Sequence, residues 1–116
     1  MTTEKIIRTA LSSIGLPVAK GFYDGAAAEY IYFLMIDSGA AEHGDDDVTA
    51  YSDDVRICYV APRTVDHTNT KKLIWQSLKD AGIECRSFEL AEEDNGQRVF
   101  RIVFEGRCTN FDYLEV

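Results

Sequence analysis

The chain has 116 residues and a formal charge of −8, with 46% hydrophobic residues, so it has the length of one small domain and enough apolar material to fold. Acidic residues outnumber basic ones by 20 to 12, which disfavours a phosphate-binding surface and an anionic membrane as partners. No apolar run approaches the roughly 20 residues that a membrane span requires.

The first predicted element is an amphipathic helix over residues 2–14. Ile7, Leu11 and Ile14 recur at helical spacing, with charged and hydroxyl residues between them. Thr2 or Thr3 is a suitable cap at its start, and Gly15 is a suitable left-handed residue at its end. After this glycine the chain is expected to leave in an extended direction.

Two strands are predicted next. The run from Tyr30 to Ile36 is apolar at odd and at even positions alike. Because successive side chains of a strand point to opposite faces, this predicts a strand covered on both faces. Residues 37–47, rich in glycine, aspartate and small side chains, are expected to form a loop. In residues 49–60, apolar side chains alternate with more polar ones. This alternation predicts a second long strand with one face toward solvent.

The second half repeats this pattern. A helix is predicted over residues 70–81, with Gly82 at its end. Strands are predicted over 85–90 and 99–105, joined by an acidic hairpin loop with Asn95-Gly96 as the turn. The segment 106–116 is a C-terminal extension too apolar for a free tail, so we expect it to add an edge strand or to dock on a partner.

This order predicts one α+β domain over residues 1–116. Two helices pack on one face of a mainly antiparallel sheet of four to five strands, in the order α-β-β-α-β-β. The other face of the sheet must then be polar or covered by another chain.

The sequence contains no recognisable catalytic or ligand-binding motif. His43, His67 and the neighbouring aspartates do not match the spacing of a zinc or calcium site. The three cysteines, far apart and odd in number, are expected to be reduced thiols. We therefore predict no catalytic residues, no metal and no cofactor, and a protein that is not an enzyme.

Tyrosines concentrate in the first half of the chain. Because tyrosine combines a large apolar body with a polar tip, it is enriched at protein interfaces. Half-buried tyrosines of a small core are one interpretation, and a face between subunits is the other. The candidate interface residues are Tyr30, Tyr32, Tyr51 and Tyr59.

The order of elements, together with a few local motifs, resembles the tail-terminator and tail-completion proteins of long-tailed bacteriophages and prophages. The resemblance covers residues 3–105. It rests on the helix exit Gly15-Leu16-Pro17-Val18, the aromatic loop Gly21-Phe22-Tyr23, the strand Tyr30-Ile31-Tyr32-Phe33, the long segment from Asp45 to Pro62, the helix from Thr70 to Ala81 and the acidic hairpin from Phe88 to Phe104.

The resemblance implies a structural virion protein that assembles as a homo-oligomeric ring, commonly a hexamer. Such a ring caps the tail-tube protein and joins it to the head-tail connector protein, while DNA passes through without specific binding and no membrane is involved. Assembly takes place in the host bacterial cytoplasm, and the assembled protein resides in the virion tail. A carboxylate-lined lumen would repel DNA phosphates. The candidate lumen or end-face residues are Asp45, Asp46, Asp47, Asp53 and Asp54.

Two other interpretations remain open from the sequence. An acidic protein can imitate DNA and inhibit a nuclease, although Lys71-Lys72 and the arginines at 98 and 101 interrupt the negative charge here. A small ligand-binding α+β domain is the other alternative.

Overall fold

The structure, a computed structural model, describes residues 2–44, 47–94 and 96–110. Two helices, α1 (Thr3–Leu11) and α2 (Thr68–Asp80), and a short 3-10 turn (Ser12–Ile14) accompany five strands. The strands are β1 (Val18–Lys20), β2 (Tyr30–Gly44), β3 (Asp47–Pro62), β4 (Glu84–Asp94) and β5 (Gln97–Asn110). They form one sheet in the order β1-β2-β3-β5-β4, in which only β1 and β2 run parallel.

The α+β class and the packing of two helices on one sheet face are as the sequence predicts, but the predicted order of elements is wrong. An additional strand, β1, lies between α1 and β2, so the order is α-β-β-β-α-β-β and the sheet is mixed. β1 has three residues, which is too short for an alternating pattern to distinguish it from an extended loop.

The prediction of a loop over residues 37–47 is also wrong. β2 continues to Gly44, and β3 begins at Asp47, because the backbone of this segment pairs across a long hairpin. The pairing is irregular: the register shifts between Met35 and Asp37 and again near Glu42. Small residues at 39–41 carry no strand signal of their own, and the partner strand supplies the hydrogen bonds that hold them extended.

Residues 106–110 of the C-terminal extension do not form a separate edge strand. β5 runs through Gly106 to Asn110 and pairs along this stretch with β3, where Tyr51 lies opposite Asn110. Residues 111–116, for which a docking role is expected, lie outside the described residues.

The 3-10 turn that follows α1 ends immediately before Gly15, and α2 ends two residues before Gly82. Gly15 and Gly82 each have a φ of 84°, as predicted for the two helix ends. At the start of α1, Thr2 accepts a hydrogen bond from the backbone N–H of Lys5 at 3.2 Å. At the start of α2, the carboxylate of Asp66 accepts a hydrogen bond from the backbone N–H of Thr68 at 3.1 Å.

The core lies between the helices and one face of the sheet. Ile7 and Leu11 of α1 and Ile74 and Leu78 of α2 are completely buried. They pack against alternate residues of the three long central strands: Ile31, Phe33, Val55, Ile57, Tyr59, Ala61, Ile102 and Phe104. Within the described residues, neither helix is long and apolar enough to span a membrane.

Candidate functional site: the open face of the sheet

The sheet face opposite the helices is also apolar. Register places Tyr32, Cys58, Val103 and Phe88 in one row across β2, β3, β5 and β4. Along β2, β3 and β5, the residues of this row alternate with residues of the core cluster beneath the helices, so the row lies on the opposite face of the sheet. We call this surface the open face. Its members are Tyr30, Tyr32, Leu34, Cys58, Val60, Phe88, Leu90, Val99, Arg101 and Val103. Four of them, Cys58, Val60, Val99 and Val103, are already buried within the subunit.

The loop over residues 21–29 folds onto the β2 side of the open face. Tyr23 in this loop stacks on Tyr30 with ring centroids 4.3 Å apart, and Tyr30 lies 6.4 Å from Tyr32. The Tyr23 hydroxyl accepts a hydrogen bond from the backbone N–H of Ala27 at 2.9 Å. A Cβ at Gly25 would lie 2.3 Å from that hydroxyl oxygen, so this position requires glycine for the ring to pack.

A single cation lies over this aromatic group. The Arg101 guanidinium sits 5.7 Å from the centre of the Tyr32 ring and forms an ion pair of 2.8 Å with Glu92. Burial, assisted by a hydrogen bond with the Cys58 thiol, raises the pKa of Tyr32 above its ordinary value. The phenol therefore stays neutral, and Arg101 interacts with a π-face and not with a phenolate.

Between the loop and the strands lies a half-open cavity of about 840 Å³. Tyr30, Tyr32, Val60 and Val99 contribute to its wall, together with Arg101. Aromatic and aliphatic side chains share this wall with backbone groups and the Arg101 guanidinium, so its surface is somewhat more polar than apolar. Among the described residues, no group of three or more His, Cys, Asp or Glu side chains is arranged to hold a metal ion.

Exposed apolar side chains continue from the open face to both sides of the sheet. Leu34 and Ile36 of β2 are 38% and 52% exposed, and Phe88 and Leu90 of β4 are 38% and 40% exposed. Phe22, in the loop beside β1, is 91% exposed. Four of these partly exposed side chains lie on the two strands β2 and β4, toward opposite sides of the sheet.

The tyrosines predicted as interface residues lie in different places. Tyr30 and Tyr32 lie on the open face. Tyr59 lies on the other face and is completely buried beneath the helices, where its hydroxyl donates to the Glu29 carboxylate. It belongs to the core and is unavailable to a neighbouring chain. The backbone of Tyr51 pairs in β3, and its side chain lies outside the described residues.

The predicted lumen aspartates do not form one described cluster. Asp53 faces the helix side, where Thr3 and Ser38 donate to its carboxylate, and Asp54 accepts from Arg107 Nε at 2.9 Å. Both carboxylates therefore have structural partners. Asp47 pairs through its backbone with Gly44 at the end of the hairpin, and Asp45 and Asp46 lie outside the described residues.

Sequence reasoning missed the apolar residues of β4. Arg86, Phe88 and Leu90 share one parity, and Cys85, Ser87 and Glu89 share the other. This alternation is a usable signal, because it puts the large apolar side chains of β4 on one face. Only the sheet order reveals that this face is the one without helices.

Comparison with known proteins does not assign the chain to a family. No family model and no curated protein matches it. One solved structure shares 16% sequence identity, with 96% of this chain and 98% of that chain aligned, at a TM-score of 0.46. A likeness at this level carries no argument about function.

Proposed function

We propose that the protein is a structural subunit that acts by self-association, as a ring of the tail-terminator type. The observation that carries this proposal is the open face, an apolar and tyrosine-bearing sheet surface whose exposed side chains extend to both edges of the sheet. A domain of this size gains stability by covering such a surface with another copy of itself.

The element pattern that resembles tail terminators supports the specific form of the proposal. In this interpretation the ring closes a tail tube and meets a head connector, and DNA passes through its centre. The net charge of −8 supports a lumen that repels DNA. Since Asp53 and Asp54 hold structural partners, we propose that the acidic segment at Asp45–Asp47 contributes the lumen or end-face charge.

The charge distribution makes a DNA mimic the weaker proposal. A mimic needs rows of unpaired carboxylates that replace phosphates. Here several carboxylates of the sheet are held by cations: Glu105 by Arg56 at 2.7 Å, Glu92 by Arg101 at 2.8 Å and Glu89 by Lys71 at 3.2 Å. These pairs reduce the negative potential of the sheet surface.

The oligomeric state tests the proposal directly. Light scattering after size exclusion, over about a hundredfold range of protein concentration, should give a discrete mass near six times the 13.0 kDa subunit, with rings visible in negative-stain electron microscopy. The measurement is repeated in the presence of a polymerised phage tail-tube protein. A monomer under all these conditions would overturn the proposal.

A further inference from the structure

The sheet has two outer edges that are not equivalent. On one side, β1 pairs with β2 only from Ile31 to Phe33, and within the described residues no strand covers β2 from Leu34 to Gly44. On the other side, the whole of β4, from Glu84 to Asp94, is the last strand of the sheet. Each uncovered stretch is 11 residues long. Long open edges of this kind pair readily with another strand.

The backbone of β2 is oriented for pairing beyond β1. The Ile31 N–H donates to the Pro17 carbonyl at 2.8 Å, and the Phe33 carbonyl accepts from the Gly21 N–H at 2.9 Å. Both groups point away from β3, so alternate residues of β2 turn their backbone outward. Met35 is the next residue in this alternation, and it lies past the end of β1.

The same two edges carry apolar side chains. Leu34 lies on the open face of β2, and Ile36 follows at the register shift. Phe88 and Leu90 lie on the open face of β4. Two joined edges would bury these leucine, isoleucine and phenylalanine side chains against each other.

Strand direction matches this arrangement. β2 is antiparallel to β3, β3 to β5 and β5 to β4, so β4 runs opposite to β2. When subunits are related by rotation about an axis parallel to the strands, each strand keeps its direction in every copy. The β4 edge of one subunit therefore meets the β2 edge of the next as an antiparallel pair, with both open faces on the same side of the continuous sheet.

We infer that subunits join edge to edge, β4 of one copy pairing antiparallel with β2 of the next from Leu34 onward. This inference rests on the proposed homo-oligomer and specifies its contact. Because the two edges differ, the contact is head to tail, and repeating it gives a ring when the rotation between copies closes. Phe88 and Leu90 of one copy then pack against Leu34 and Ile36 of its neighbour.

The register gives a consistent stagger. Within one subunit, Leu34 and Arg86 lie in the same row, through Arg56 and Glu105. If Leu34 lies beside Phe88 of the neighbour, the two copies are displaced along the strands by two residues, about 7 Å. If it lies beside Leu90, the displacement is four residues, about 14 Å. A stagger of this kind accompanies strand tilt in closed sheets. With Leu34 beside Phe88, Arg86, which is 81% exposed, comes opposite the Ile36-Asp37 segment.

Engineered disulfides test the contact. In a Cys85→Ser background, Leu34→Cys is combined with Phe88→Cys or with Leu90→Cys, and the oligomer is oxidised. Buried Cys58 and Cys108 remain in all variants. We expect at least one pair to give a ladder of covalent multimers on non-reducing gels, and each single variant to give none. The control pair, Leu73→Cys on α2 with Leu90→Cys, should also give no ladder.

Charge substitutions provide an independent readout. Leu34→Lys and Leu90→Lys should each shift the light-scattering mass to that of a monomer without changing the far-UV circular dichroism spectrum. Leu73→Lys, at a position 49% exposed on α2, should keep the wild-type mass.

The outcomes separate the two proposals. A wild-type oligomer in which neither edge pair cross-links, or in which both edge lysine variants keep the full mass, overturns the edge contact and leaves the proposed function standing. Cross-linked dimers from Leu34→Cys alone indicate a symmetric β2–β2 contact and also overturn it. A wild-type protein that stays monomeric, with or without the tube protein, overturns both.

Discussion

At the scale of single residues, Glu105 organises the charges of the open face. Arg56 donates to one of its carboxylate oxygens from Nε at 3.0 Å and from Nη2 at 2.7 Å, while Arg86 approaches the other oxygen at 3.5 Å. The hydrogen bond from Arg56, followed by the attraction of both arginines, holds the pKa of Glu105 below its ordinary value. The carboxylate thus links three strands, β3, β5 and β4.

This lowered pKa predicts an acid-dependent contribution to stability. A carboxylate with a depressed folded pKa stabilises the fold above its unfolded pKa of about 4.3, and the contribution disappears as pH falls through the folded value. Glu105→Gln should therefore be less stable than wild type near neutrality, with the difference shrinking toward pH 3. Urea unfolding at several pH values measures it, with Glu93→Gln as a control for the loss of one negative charge. A difference that does not change with pH would contradict the assignment.

At the scale of elements, β4 and β5 approach unusually closely at Gly106. A Cβ built at this position would lie 2.2 Å from the Glu84 carbonyl oxygen and 2.7 Å from the Cys85 Cβ. The backbone oxygen cannot move aside as the end of a flexible side chain would. Gly106 therefore permits the pairing of the two strands where β4 begins.

Gly106→Val should weaken the attachment of β4. Relief of the overlap requires the start of β4 to shift, and overpacking of this kind costs about 1–3 kcal/mol. Denaturant unfolding gives the change in stability, and hydrogen exchange should locate the lost protection at 84–87. Thr109→Val, on β5 like Gly106, is the control. Gly96→Val is unsuitable, because Gly96 has a φ of 79° and any side chain there would add backbone strain. Stability equal to that of wild type would show that β4 accommodates the side chain.

The elements also show which parts of the fold follow from sequence pattern. Both helices are predictable, because one apolar stripe and a terminal glycine specify each of them. β1 is not, because three residues cannot display periodicity and its conformation depends on pairing with β2. The end of β2 is not predictable for a related reason: residues 39–44 form a strand through their partner and not through their own preference.

At the scale of the whole molecule, the two faces of the sheet differ in what covers them. The helices cover the centre of one face, while the loop over residues 21–29 covers part of the other. The concentration of tyrosines in the sequence could not distinguish Tyr30 and Tyr32, on the open face, from Tyr59 in the core. Distinguishing the faces requires the strand order, which depends on contacts between residues far apart in the chain.

Self-association by this surface should couple stability to concentration. Assembly binds the folded subunit and not the unfolded chain, so mass action raises the melting temperature as protein is added. We expect an increase on the order of 4 °C per tenfold concentration for wild type in calorimetry. The Leu34→Lys/Leu90→Lys double variant should melt at one temperature throughout. An equal concentration dependence in both proteins would contradict coupling through these edges.

The position of Trp75 makes folding and assembly optically separable. It is the only tryptophan of the chain, and its ring on α2 meets Phe104 edge-on at 6.0 Å, on the helix side of the sheet. Its emission should shift to the red when α2 leaves the sheet. Tyr23, Tyr30 and Tyr32 gather on the other side, so tyrosine emission responds to events there. Tyr59 lies in the core and also emits, so a Tyr59→Phe background makes the tyrosine signal more specific for the open face while Trp75 reports on folding.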